Sequence, residues 1–204
     1  YLCVADLQNP HDICNWVGDN RGPHEDVPVP GVLPPLPDNF EIDDLEKRPV
    51  PVQYVCCTHN RLCQAAQWTA ENYRHYLAAY YHYCWRLDQD VGRILAAMEA
   101  RNDAADTLVV FLADHGDGMA AHRMVTKQVV LYDEVTRVPL IMAGPGVADG
   151  GRDASGALVS LLDVLPTLCA VGGVETPDGL WGRSLMPWLA RDRGDSPHEY
   201  TACE

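Results

Sequence analysis

Apolar positions along this chain fall into two patterns. From Tyr73 they recur at Tyr76, Leu77, Tyr80, Cys84, Leu87, Val91, Ile94, Leu95 and Met98, a spacing that lines one face of a helix. Thr69 stands where an N-cap belongs, and Glu71 suits the positive end of the helix dipole. Arg101-Asn102-Asp103 ends the pattern, so a helix is predicted over 69–101. The second pattern is the unbroken apolar run. Thr107 to Ala113 is one such run, and Val138 to Ala143 is another, stopped by Gly144-Pro145-Gly146. Runs of this kind fit strands covered on both faces, as in a parallel sheet. Residues 1–7 also run apolar and predict a buried strand, ended at Asn9-Pro10-His11-Asp12 by proline and Asx residues. Leu158 to Val171 predicts a helix closed by Gly172-Gly173.

Strand and helix in alternation indicate an α/β fold with a mostly parallel sheet. Segment 22–51 carries eight prolines. Val32, Leu33, Leu36 and Phe40 are interleaved with them, so an ordered surface loop that packs down on these anchors is expected. The Tyr stripe of the long helix is read as core packing rather than as a ligand box.

Composition excludes some partners. The chain has 204 residues and a formal net charge of −14, whereas phosphate backbones require clustered Lys and Arg. Nucleic acid is not expected as a partner. The most apolar stretch, 157–174, is interrupted by Asp163 and Pro166, so no membrane span is expected. The chain opens at Tyr1 without an initiator Met and reads as a fragment. Localisation therefore stays open between periplasmic or secreted and cytoplasmic. The eight cysteines (3, 14, 56, 57, 63, 84, 169 and 203) include no Cys-x-x-Cys pair, so reduced, mostly buried thiols are expected rather than a zinc ribbon.

In open α/β sheets, ligands bind beyond the carboxyl ends of strands. That rule selects Asp114-His115-Gly116-Asp117-Gly118 and Asn9-Pro10-His11-Asp12. Asp114 and His115 can both ligate a divalent cation: carboxylate suits Mg2+ or Ca2+, and imidazole suits Zn2+, Mn2+ or Fe. Gly116 and Gly118 would let the backbone turn sharply. On spacing alone, a polar turn after a strand reads equally well. Two ligands do not hold a metal, and Asp117 and His122 are the nearby residues that could add to the set or hydrogen-bond to it. Lys127, with Arg123 beside it, is a scarce cation close to this motif and could neutralise an anionic group. A nucleophile is harder to find. Cys57 and Arg61 lie four apart in a polar segment, and no Gly-x-Ser-x-Gly elbow occurs. The residues alone support a metal-dependent hydrolase of an anionic ester.

The stretch Thr107 to Lys127, continued in register through Leu131 to Ile141, resembles the C-terminal metal motif of the sulfatase family, within the alkaline phosphatase superfamily. Leu7 to Asp12 resembles the family's Asn-Pro-His segment. Tyr80 to Leu95 fits with Asp88, Gly92 and Arg93, as do Leu158 to Thr167 and Gly179 to Leu185. The resemblance implies a three-layer α/β/α sandwich, incomplete here, with 1–204 as part of the catalytic domain. Its pieces would be the loop 22–51, the helix 69–101 and the metal-site strand with its following units over 107–185. It implies Asp114 and His115 as metal ligands, Lys127 on the sulfate, and His11 beside the sulfate and leaving group. His122 is carried over as a position near the pocket. The family's nucleophile, a Cys-x-Pro-x-Arg cysteine oxidised to formylglycine, has no match here, since Cys57 to Arg61 has His59 where the motif has Pro, Ala or Ser.

The function implied by this resemblance is that of a sulfuric ester hydrolase acting on a sulfated small molecule or glycan. The metal would be Ca2+ by family precedent, with Mn2+ or Zn2+ left open by His115, and the chain by itself would be inactive. Two alternatives are a phosphonate monoester or phosphodiester hydrolase of the same superfamily and a non-catalytic sulfatase-like binding protein. A sheet lacking its early strands would leave an uncovered face, so self-association is also expected.

Overall fold

The computed structural model describes residues 1–19, 27–41, 45–55, 65, 67–127, 130–148, 156–190 and 196–201. Cys57 to Arg61 lie outside the described residues. The chain forms two compact units, Tyr1–Ala100 with His115–Val138, and Arg101–Asp114 with Pro139–Glu204.

The first unit is helical. After the turn at Asn9-Pro10-His11-Asp12, α1 (Ile13–Asp19) buries Ile13, Trp16 and Val17, the three- and four-residue spacing of one helical face. Two short elements follow, a 3-10 turn at Leu45–Lys47 and α2 (Val50–Val55). The long helix α3 (Ala70–Ala100) is the main support. Thr69 caps it: its Oγ1 accepts the Asn72 N–H at 3.3 Å, and Asn72 Oδ1 accepts the Thr69 N–H at 2.8 Å. Past the last turn, Asn102 takes a left-handed φ of 58°, the conformation that commonly ends helices. A final four-residue helix, α4 (Asp133–Thr136), completes this unit.

Aromatic rings dominate the core between α1 and α3. Trp16 meets Trp68 edge-on with centroids 5.9 Å apart, Trp68 meets Tyr73 at 5.3 Å, and Phe40 meets Tyr73 at 5.0 Å. The Tyr stripe is thus core packing, but only over its first half. Tyr73, Tyr76, Leu77 and Tyr83 are buried, whereas Ile94 and Leu95 are exposed. Among the described residues nothing covers that distal stretch.

The proline-rich loop packs down on fewer anchors than its sequence suggests. Phe40 and Val27 are buried and Leu36 touches the core, whereas Val32 is exposed. Arg74 of α3 fastens the loop by donating to the carbonyls of Pro34 at 2.8 Å and Leu33 at 2.6 Å. The strand expected over residues 1–7 is not formed, and Tyr1, Leu2 and Val4 are exposed. A strand needs neighbours for its N–H and C=O groups, and no described segment pairs with these residues.

In the second unit, β1 (Val109–Leu112) pairs with β2 (Leu140–Ala143) in register from Val109 opposite Ala143 to Leu112 opposite Leu140. The pair is antiparallel; the mostly parallel sheet expected from the alternation does not occur among the described residues. A parallel pair needs a crossover, usually a helix. Between β1 and β2 the described elements are only the 3-10 turn Ala121–Arg123 and the four-residue α4.

A 3-10 turn (Leu161–Asp163) leads into α5 (Val164–Gly172), which Gly173 ends with φ 64°. The short α6 (Met186–Leu189) follows. The turn is fixed by Asp163, which is fully buried. Its carboxylate accepts from the N–H groups of Ser160 and Arg183, both at 2.9 Å, and from His198 Nε2 at 2.8 Å. Thr167 extends the network, donating to the Asp163 carbonyl at 2.6 Å and accepting the Leu185 N–H at 2.9 Å. The stretches around 160–167 and 179–185, matched separately in the sequence, are therefore held together by one buried carboxylate and one hydroxyl. No helix among the described residues is long and apolar enough to cross a membrane.

Candidate active site

The candidate residues of the first unit lie on two irregular segments, the turn 9–12 and the loop 115–127, the second of them tied to α3 by the Tyr73 hydroxyl, which donates to the Arg123 carbonyl at 3.0 Å. Non-glycine residues of the loop repeatedly take left-handed backbone: Met119, Ala120, His122 and Arg123 have φ between 49° and 64°. Such conformations cost free energy, and they persist where surrounding contacts over-determine them. Here the Ala120 N–H donates to the Met124 carbonyl at 2.9 Å, and the His122 N–H donates to the Asn39 carbonyl at 3.1 Å.

Gly116 and Gly118 answer a need for space. Neither has positive φ, so the sharp turn invoked from sequence is not the reason for glycine. A Cβ on Gly116 would stand 1.9 Å from the Glu134 carbonyl oxygen, and one on Gly118 would stand 2.7 Å from Met124 Cβ. The loop is clamped against the segment 134–135, where the Gly116 N–H donates to the Val135 carbonyl at 2.8 Å.

His11 and Lys127, 116 residues apart, meet at 3.2 Å between Nε2 and Nζ. An ammonium can only donate, so the imidazole accepts at Nε2. The pair offers one cation and one exchangeable imidazole at the same point. His122 lies flat on Tyr132, with ring centroids 4.3 Å apart.

Asp114 is exposed and belongs to the second unit; His115 is half-buried and begins the loop in the first. A single peptide bond joins them. His115 Nδ1 lies 2.9 Å from the Gly116 carbonyl. A carbonyl only accepts, so Nδ1 carries the proton and the ring's lone pair is on Nε2. By type, a carboxylate and an imidazole are both ligands that divalent cations accept. Among the described residues, no group of three or more His, Cys, Asp or Glu converges to hold one.

Sequence reasoning missed the link between α3 and the motif. The Tyr76 hydroxyl donates to Asp117 Oδ1 at 3.1 Å, and the Gly118 N–H reaches the same oxygen at 2.6 Å. A buried Tyr hydroxyl seeks a partner, so a Tyr inside a core stripe was the available signal. Burial holds the Tyr76 hydroxyl well above its usual pKa, with the Asp117 charge adding to the effect. Burial also raises the Asp117 carboxyl, opposed by its bonds from Gly118 and Tyr76 and by the charges of Lys127 and His115. Cys14 shares this environment: burial and then Asp117 push its thiol upward, while Lys127 pulls it down.

The raised Asp117 has a consequence for stability. The folded protein keeps that proton to a higher pH than the unfolded chain does. Stability is therefore lost as pH rises from the unfolded pKa to the folded one, and the loss persists above it. Asn at 117 keeps an acceptor oxygen for Tyr76 and Gly118 without the charge. Urea unfolding of Asp117→Asn is expected to improve relative to wild type as pH is raised from about 4 to about 7. A difference that does not change with pH would contradict the burial argument.

Comparison with known proteins extends this picture. The Sulfatase family model matches residues 37–174. A Delta 4,5-hexuronate-2-O-sulfatase of Bacteroides thetaiotaomicron is 47% identical over 205 residues, covering 100% of this chain and 43% of that protein. The solved structure of a 2-O GAG sulfatase superposes with a TM-score of 0.85 at 47% identity, over 96% of this chain and 43% of the other. A phosphonate monoester hydrolase of Agrobacterium radiobacter is more distant, with a TM-score of 0.56 and 30% identity over 68% of this chain and 27% of that one. The chain belongs to the sulfatase family. It spans less than half the length of the hexuronate sulfatase and of the 2-O GAG sulfatase.

Proposed function

We propose that the protein of which this chain forms part hydrolyses sulfate esters, on a glycan that contains hexuronate. The observation that carries this reading is the meeting of His11 and Lys127 at 3.2 Å in a chain of the sulfatase family. In this reading Lys127 binds a sulfate oxygen and stabilises the charge that grows there. His11, next to it, accepts from Lys127 at Nε2, so its Nδ1–H is the group that hands a proton to the leaving oxygen or donates a hydrogen bond to it.

Asp114 and His115 would supply two ligands to a divalent cation, Ca2+ on the family resemblance. When bound, such an ion polarises the sulfate oxygens. The left-handed loop 119–123 and the clamp at Gly116 hold the backbone that carries His115 and Lys127. The nucleophile would come from another part of the protein, as would the further strands of a three-layer, mostly parallel sheet. The hexuronate specificity is supported by the 2-O-sulfatase activity of the Bacteroides relative, 47% identical to this chain.

The test is a parallel assay of the whole protein on an aryl sulfate, a 2-O-sulfated uronate disaccharide and an aryl phosphodiester. Sulfate release from the uronate at the highest kcat/KM is the expected result. Faster turnover of the phosphodiester would overturn the assignment in favour of a phosphodiesterase.

A further inference from the structure

His11 and Lys127 are 116 residues apart in sequence, so their meeting at 3.2 Å depends on what holds the two segments that carry them. Both segments lead back to one side chain of α3. On the first, the Cys14 N–H donates to the His11 carbonyl at 3.0 Å and the Trp16 N–H to the Asp12 carbonyl at 3.3 Å, which fastens the turn 9–12 to the start of α1. Trp16 is buried, and its indole packs against the ring of Tyr76 with centroids 6.3 Å apart.

On the second, the Tyr76 hydroxyl donates to Asp117 Oδ1 at 3.1 Å, and the Gly118 N–H donates to the same oxygen at 2.6 Å. Gly118 in turn lies flush against the stretch that ends at Lys127. A Cβ there would stand 2.7 Å from Met124 Cβ and 2.9 Å from the Thr126 carbonyl oxygen. The path from Tyr76 to Lys127 thus runs through one carboxylate and one glycine. Tyr76 is completely buried and Asp117 is buried with it. A phenylalanine would fill the same space beside Trp16 and Trp68, whereas a buried hydroxyl has to be satisfied, and this one is aimed at the carboxylate of the loop.

We propose that Tyr76 is a positioning residue: its ring seats the segment that carries His11, and its hydroxyl seats the loop that carries Lys127. It thereby sets the spacing of the two groups that act on the sulfate. This rests on the proposed sulfatase function and adds a residue that never touches substrate but on which that function depends. Loss of the hydroxyl frees the loop to shift against α1 while the aromatic core stays filled. A shift of about 1 Å at reacting groups can cost about 10²-fold in rate.

The experiment measures kcat of the whole protein on a 2-O-sulfated uronate disaccharide, in a double-mutant cycle of Tyr76→Phe and Lys127→Ala. Tyr76→Phe should lower kcat by about 10- to 100-fold. With Lys127→Ala already in place it should lower kcat by less than about threefold, because the group it positions is gone. A mere loss of folded protein would scale both backgrounds by the same factor. Melting curves show whether the variants fold; if Tyr76→Phe does not, Asp117→Ala breaks the same contact from the other side and takes its place in the cycle. A crystal structure of the whole variant protein reads the spacing directly, and the contact between His11 and Lys127 should be longer by about 1 Å. Equal factors in the two backgrounds, an unchanged spacing, or a kcat within about threefold of wild type each overturn the positioning role alone. No turnover by the wild type overturns the proposed function, and the positioning role with it.

Discussion

Lys127→Ala should lower kcat for sulfate ester hydrolysis by the whole protein by about 10²- to 10³-fold, the loss typical when one preorganised charge donor is removed from a reacting oxyanion. Sulfate is already anionic when it binds, so KM should rise as well and kcat/KM should fall further than kcat. The half-buried Lys127 side chain meets His11 at its tip, and its loss leaves an acceptor nitrogen that water can satisfy. The melting temperature should therefore change little. A variant with kcat within about threefold of wild type would remove Lys127 from the reaction.

The largest effect on stability is expected at Trp16. The residue is 1% exposed and sits between Trp68 and Tyr76. Truncation to Ala removes most of an indole from a packed aromatic cluster, which costs about 3–5 kcal/mol. Among the described residues the indole Nε1 has no hydrogen-bond partner, so shape rather than polarity accounts for this residue. Trp16→Phe should consequently retain much of the stability and cost about 1–3 kcal/mol less than the Ala variant. Equal losses for the two variants in urea denaturation would show that the ring is not packed as described.

How far sequence led to structure depends on the distance over which each feature is decided. The helix Ala70–Ala100 was legible because its period, cap and stop lie within the segment itself. The positions of β1 and β2 were legible for the same reason. Strand direction was not, because it depends on the path between Leu112 and Leu140, and that path carries no crossover helix among the described residues. The buried strand over residues 1–7 failed because an apolar run specifies burial without supplying neighbours to pair with.

At the site the division is similar. Asp114 and His115 stand out by being adjacent. By contrast, the meeting of His11 and Lys127 spans 116 residues and was visible only through the family resemblance. Gly116 looked like the site of a sharp turn; its true constraint is the carbonyl of Glu134, which no local pattern reveals. The stacking of His122 on Tyr132 was equally invisible, since nothing about a histidine ten residues before a tyrosine signals that their rings will meet.

The Asp163 network bears on where this chain can safely be cut. Its oxygens take donors from Ser160, Arg183 and His198, so one donor arrives from a short segment beyond α6 that belongs to no helix or strand. A shorter version ending before residue 196 would keep every named element of the second unit. It would also leave a fully buried carboxylate one donor short, a deficit worth about 1–3 kcal/mol. Soluble yield, before any assay of turnover, would register the difference, and boundary choice in expression work should follow His198 rather than the last helix.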